Sequence, residues 1–155
     1  MTAAVERRLF LQWLLLNVAF VIGLIVLGLT YGGKLHGPAL VTIPIILALG
    51  AYATAYGGRL CWEAGGEFIG ETPVARNIVH RATYLDHWAW VCPMVGILSS
   101  IAGMAILISN NDPATLGNRI ASGGGAIFYA TFVGVLVSVI LKHEQRMIEH
   151  ELTGD

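Results

Sequence analysis

Three aliphatic hydroxyl side chains stand in stretches made up mostly of apolar and small residues. Ser99 and Ser100 lie within CPMVGILSSIAGM, residues 92–104, and Thr131 lies within AIFYATFVGV, residues 126–135. A hydroxyl donates and accepts a hydrogen bond, so a few of them can line a narrow polar route for water or a passing carboxyl group. The plainer alternative is that each bonds back to its own helix. Neither serine nor threonine can itself carry a proton near neutral pH, since both titrate far too high. Inside a membrane that task falls to carboxylates and histidines. The apolar stretches hold none deep within them; Asp86 and His87 stand at the edge of one, as candidates for a cytoplasmic exit or simply as residues solvating a helix end. If protons cross here, the sequence implies that the titrating group comes from another chain.

The elements that carry these residues are membrane helices. Of 155 residues, 55% are apolar and only 12% charged, and the mean hydropathy of +0.69 is far above that of a soluble domain. A net charge of -1 offers no concentrated basic face, which argues against nucleic acid as a partner. Cys61 and Cys92 form no disulfide framework and read as packed thiols.

Four apolar runs of about 20 residues predict four transmembrane helices, near residues 9–31, 38–56, 87–109 and 120–141. None contains Asp, Glu, Lys or Arg. Arg7 and Arg8 precede the first run as in a signal peptide, but the run exceeds a usual h-region and TYGGKLHGP offers no convincing cleavage pattern, so it is read as a span. With even-numbered crossing, Arg7, Arg8, Arg59, Arg76, Arg81, Lys142 and Arg146 fall on one side, and Lys34 and Arg119 on the other. That bias places both termini in the cytoplasm. The outer connections, residues 32–37 and 110–119, have the Gly, Asn, Asp and Pro content of tight turns.

The inner loop, residues 57–86, begins as a continuation of the second helix and is broken at Gly65 and Gly66. From Pro73 a helix capped by Thr72 leads straight into the third span. The tail, residues 142–155, has no helix breaker before Gly154, so the fourth helix is expected to project into the cytoplasm. The fold class is therefore all-α integral membrane, a single domain of four transmembrane helices with the last two extended beyond the bilayer.

Small residues recur at every fourth position of the last span: Ser122, Ala126, Ala130, Gly134 and Ser138. Such positions share one slowly drifting helix face, a groove into which another helix can press. Gly96, Ser99 or Ser100, and Gly103 do the same on the third span. Pro93 frees a carbonyl near Ala89, which in lipid needs a partner from protein or water. The first span is bulky and leucine-rich, as a lipid-facing helix is, so the two C-terminal spans are read as the inner pair around a shared axis. Asn17 and Gln12 on the first span are candidates for interhelical bonds.

Residues Cys92 to Gly103 follow a pattern close to A-P-x-x-G-x-x-G-T-x-x-G, with Cys92, Ser99 and Ser100 as variants, and Ala130-Thr131-Phe132-Val133-Gly134 matches an A-T-x-x-G core. In these motifs and their order the chain resembles the MotA/TolQ/ExbB proton-channel family, and the loop between the second and third spans is similar to the MotA order. The resemblance covers roughly residues 88–141. Ala126 stands where the family has an acidic residue, the proline often found near the cytoplasmic end of the last span is missing, and the large cytoplasmic domain of MotA is reduced to a short loop and tail. The resemblance implies a homopentamer in a bacterial inner membrane. It would enclose single-span partner helices, of the MotB, TolR or ExbD kind, whose aspartate takes up and releases protons; Na+ is the other ion to consider. On that basis Ser100, Thr131 and Ser99 line an ion route, and proton flow turns the pentamer around its partner.

Other signals are plain. Tyr31, Tyr52, Tyr56, Trp62, Tyr84, Trp88 and Trp90 lie near span boundaries, as interfacial aromatics do. His143 and His150 lack the spacing and company of a zinc site, and the SGGG run at residues 122–125 lacks the strand and lysine of a phosphate loop. No nucleophile, base and orienting group occur together, so neither an enzyme nor a cofactor is expected. A non-conducting oligomeric scaffold and a small holin-like or transporter-like pore are the alternatives to the proton-channel subunit.

Overall fold

The computed structural model describes residues 8–31, 38–64, 72–109, 117 and 128–153. Four long helices hold nearly all of them: α1, Arg8–Tyr31; α2, Ala39–Ala64; α3, Pro73–Ser109; and α4, Tyr129–Thr153. No strand occurs among the described residues. Three of the helices, α1, α2 and α3, are long and apolar enough to cross a membrane. The outer connections, the Gly65–Gly66 break and the first part of the fourth predicted span, with Ser122 and Ala126, lie outside the described residues.

Helix starts follow local chemistry. The Ala75 amide donates to Thr72 Oγ1 at 3.1 Å and the Arg76 amide to the Thr72 carbonyl at 3.0 Å. Pro73 occupies the first turn, where no amide hydrogen is needed, so one helix runs unbroken from there to Ser109. At the start of α2 the Val41 and Thr42 amides donate to the Pro38 carbonyl. Pro44 and Pro93 are both accommodated inside helices.

Burial follows a seven-residue repeat. On α3 the buried positions 75, 78, 82, 85, 89, 92, 96, 99 and 103 follow in alternating steps of three and four, with Ser100 buried beside them. The seam on α2 runs through Ile46, Gly50, Ala53, Gly57, Leu60 and Ala64. That on α4 runs through Ala130, Gly134, Val137, Leu141, Glu144 and Ile148. A 3-4 alternation keeps one stripe facing its neighbour along the whole helix, the packing of left-handed bundles crossing near about +20°.

The chain runs up, down, up, down. Trp13 of α1 packs on Gly58 of α2, and Phe10 meets Trp62 edge-on at 5.2 Å. On α2 and α3, Tyr52 pairs with Trp88 and Tyr56 with Tyr84. At the α3/α4 contact Gly96 lies on Ala130 and Gly134 on Cys92, so both of these pairs run antiparallel. Gly50 faces Val137 and Gly57 faces Glu144, which sets α2 and α4 side by side in the same direction. By contrast α1 is peripheral. Leu9 is buried, Trp13, Asn17 and Phe20 are half-buried, and Leu14, Leu15, Val18, Val21 and Ile22 are exposed.

Candidate functional site

Close approach of α3 and α4 is reciprocal. A Cβ on Gly96 would lie 2.5 Å from the Ala130 carbonyl oxygen and 2.7 Å from Thr131 Cα. One on Gly134 would lie 2.5 Å from the Cys92 carbonyl oxygen and 2.9 Å from Pro93 Cα. Only glycine lets two backbones meet at this distance, and in lipid such contact is a main source of helix association. The helix pressed into the small-residue groove of α4 is thus α3 of the same chain. The outward face of α4 carries Phe132, Val135 and Val139.

The two hydroxyl-bearing segments meet at this seam. Ser100 Oγ and Thr131 Oγ1 are 2.8 Å apart, one hydroxyl donating to the other across the helix pair. Ser99 is buried, and its Oγ has no hydrogen-bond partner among the described residues. Pro93 stands half-buried between Cys92 and the Gly134 contact, Gly103 is buried one turn beyond Ser99, and Ser138 is half-buried on α4. The structure therefore brings together Pro93, Gly96, Ser99, Ser100, Ala130, Thr131 and Gly134.

Asp86 and His87 stand apart from them. The Asp86 carboxylate pairs with the Lys142 ammonium at 3.3 Å, both about two-fifths exposed, and Lys142 also sits 5.1 Å over the Trp90 ring. His87 is exposed and stacks on Tyr84. On α2, Glu63 accepts from Arg81 at 2.7 Å and from Arg59 at 2.8 Å. These pairs join α2, α3 and α4 where the aromatic residues Tyr52, Tyr56, Trp62, Tyr84, Trp88 and Trp90 also gather. Cys61 and Cys92 are buried free thiols, and no group of metal-binding side chains occurs among the described residues.

Sequence reasoning missed one residue. Glu144 had been counted with the polar tail, yet its side chain is fully buried, at 0% exposure. Oε1 accepts from Asn17 Nδ2 at 2.8 Å, and the same amide group donates to the Trp13 carbonyl at 2.9 Å. Oε2 is buried without a hydrogen-bond partner among the described residues and lies against Gly57, where a Cβ would be 2.5 Å away. The Trp13 indole faces the carboxyl but its Nε1 stops short of hydrogen-bond geometry. Glu144 lies three residues beyond the apolar run of α4, and burial pushes its carboxyl above the usual range. A count by sevens along α4, from Ala130 to Val137 to residue 144, would have found it; the count by fours could not. Asn17 makes the interhelical bond expected of it, whereas Gln12 is exposed.

Comparison of the chain with known families, curated proteins and solved structures gives no match.

Proposed function

We propose that this chain is a subunit of a membrane ion channel, similar to the MotA/TolQ/ExbB proton channels, that assembles with copies of itself around a partner helix. The observation that carries the reading is the 2.8 Å hydroxyl pair of Ser100 and Thr131, which joins the two helices bearing the family-like motifs. Beside it Ser99 keeps a buried hydroxyl available. A hydroxyl pair of this kind is able to open and re-form around a passing water or carboxyl group at little cost, because each partner both donates and accepts.

In this reading all four helices cross a bacterial inner membrane, with both termini and the ends of α3 and α4 in the cytoplasm. Support for a fourth crossing comes from α4 running parallel to α2, with Val137 level with Gly50, so that its apolar residues 129–141 flank the apolar half of α2. The bias of Lys and Arg supports the orientation. The work performed is rotation or displacement of the assembly driven by proton flow.

A second reading, a non-conducting scaffold, is favoured by a specific observation. Gly96 and Gly134 are covered by backbone of the same chain, and Ser100 and Thr131 satisfy one another. Proton flux into liposomes, measured with a pH-sensitive dye in the presence and absence of a co-expressed single-span protein, separates the two. Channel function predicts flux that falls to the leak of empty liposomes in the Ser100→Ala, Thr131→Val double variant. Flux unaltered by that pair removes the proposed lining, and an oligomer that never conducts leaves the scaffold.

A further inference from the structure

We propose that Glu144, with Asn17 and Trp13, forms a proton-binding site belonging to this chain, and that the bound proton holds α1 against the rest of the bundle. Glu144 sits on the buried seam of α4, between Leu141 and Ile148, and each helix contributes a wall around it. From α1 come the Asn17 amide and the Trp13 indole. Gly57 gives up a side chain on α2 so that Oε2 fits, and Leu85 of α3 lies beside that gap. The site is made by the fold, since the four sequence regions are far apart and meet only when α1 is docked.

No cation compensates a charge there among the described residues. On α2 the titratable group turned toward Glu144 is the buried Cys61 thiol, while Arg59 is directed to Glu63. On α3, Arg81 is held by Glu63 and Tyr56, and Asp86 is occupied with Lys142. On α4, His143 and Arg146 are exposed, as is Arg8 on α1. An ionised carboxylate in this setting has one neutral donor and no counter-charge, so burial favours the neutral acid.

Proton uptake and release are simple here. Hydronium gives its proton to Oε2 and leaves as water; on release the O–H bond breaks, its electron pair stays on the carboxylate and the proton passes to water. Undocking α1 removes the Asn17 and Trp13 wall and admits water to the carboxylate. Because packing favours the protonated form, the docked state is most stable at low pH and loses that advantage as pH rises through the titration of the packed group. Leu9, Phe10, Trp13, Asn17 and Phe20 attach α1, most of whose later residues are exposed, so the loss is felt by the whole helix.

The test uses the full chain in lipid nanodiscs with neither partner nor ion gradient, so its failure leaves the channel reading standing, and a non-conducting assembly leaves this site standing. Infrared difference spectra against pH report the C=O stretch of a protonated carboxylic acid, and hydrogen exchange reports the protection of residues 8–31. The expected result is a protonated-acid band that titrates clearly above the reference of about 4.3 for a free glutamate and is lost in Glu144→Gln. Protection of α1 in the wild type, relative to Glu144→Gln at the same pH, should fall by up to about tenfold per pH unit between the free-glutamate reference and that midpoint, and level off beyond it. Asn17→Leu, which removes the donor that stabilises the ionised form, should move the midpoint upward. A band that survives Glu144→Gln, a midpoint in the ordinary carboxylate range, or a midpoint unmoved by Asn17→Leu overturns the site. Protection that follows pH identically in wild type and Glu144→Gln overturns its link to α1.

Discussion

Substituting Gly96 by alanine tests the α3/α4 contact directly. The added Cβ would meet the Ala130 carbonyl oxygen at 2.5 Å, Thr131 Cα at 2.7 Å and the Ala130 carbonyl carbon at 2.9 Å. All three are backbone atoms, so no side chain can rotate away. Ordinary contact begins near 3.4 Å, so the helices must separate locally by about 1 Å, a gap that forfeits a quarter to a half of each neighbouring dispersion contact. Overpacking of this kind costs about 1–3 kcal/mol. The same displacement stretches the 2.8 Å Ser100–Thr131 hydrogen bond beyond useful length, for about 1 kcal/mol more. Gly96→Ala should therefore destabilise the fold by about 2–4 kcal/mol, read by equilibrium unfolding in mixed micelles with tryptophan fluorescence. Gly23 is the internal control, because a Cβ there meets nothing within 4 Å. Gly23→Ala should be neutral or stabilising by up to about 1 kcal/mol through helix propensity. If Gly96→Ala unfolds within about 0.5 kcal/mol of Gly23→Ala, the helices do not approach as described.

Two further outcomes follow from hydrogen bonds. In a double-mutant cycle on Ser100→Ala and Thr131→Val, each single change leaves one hydroxyl without its partner and costs about 1 kcal/mol, while the pair together costs less than the sum; strict additivity in the same unfolding assay refutes the 2.8 Å bond. Thr72→Ala removes the acceptor at the start of α3 and should cost about 1 kcal/mol, seen as faster hydrogen exchange confined to residues 74–76.

The helices were legible where local chemistry decides. Apolar runs predicted four membrane helices, of which α1, α2 and α3 are long and apolar enough to cross a membrane, and Thr72 with Pro73 gave the start of α3 and its continuity into the apolar run. The small residues Gly96 and Gly134 were legible as packing positions because lipid gives helices little else to associate through. What covers them was not, since periodicity defines a face but not its neighbour. Glu144 was hidden for a related reason. Lys142, His143, Glu144, Gln145 and Arg146 read together as a solvated tail, yet the buried seam continues through them and picks out one member. Burial there is decided by Asn17 and Gly57, residues 127 and 87 positions away, and no local window holds that information.

At 37 residues, α3 is about 55 Å long, against roughly 30 Å of hydrocarbon in a bilayer. Such a film covers little more than half of that length, and the first part of the helix is joined to α2 and α4 by the Glu63–Arg81 and Asp86–Lys142 pairs. A change in lean of the bundle of roughly 10°, well within the range such helices adopt, would swing that end through about 4 Å. Displacements too slight to break any contact at the hydroxyl pair would arrive at the far tip magnified, which makes this one helix a lever arm as well as a wall.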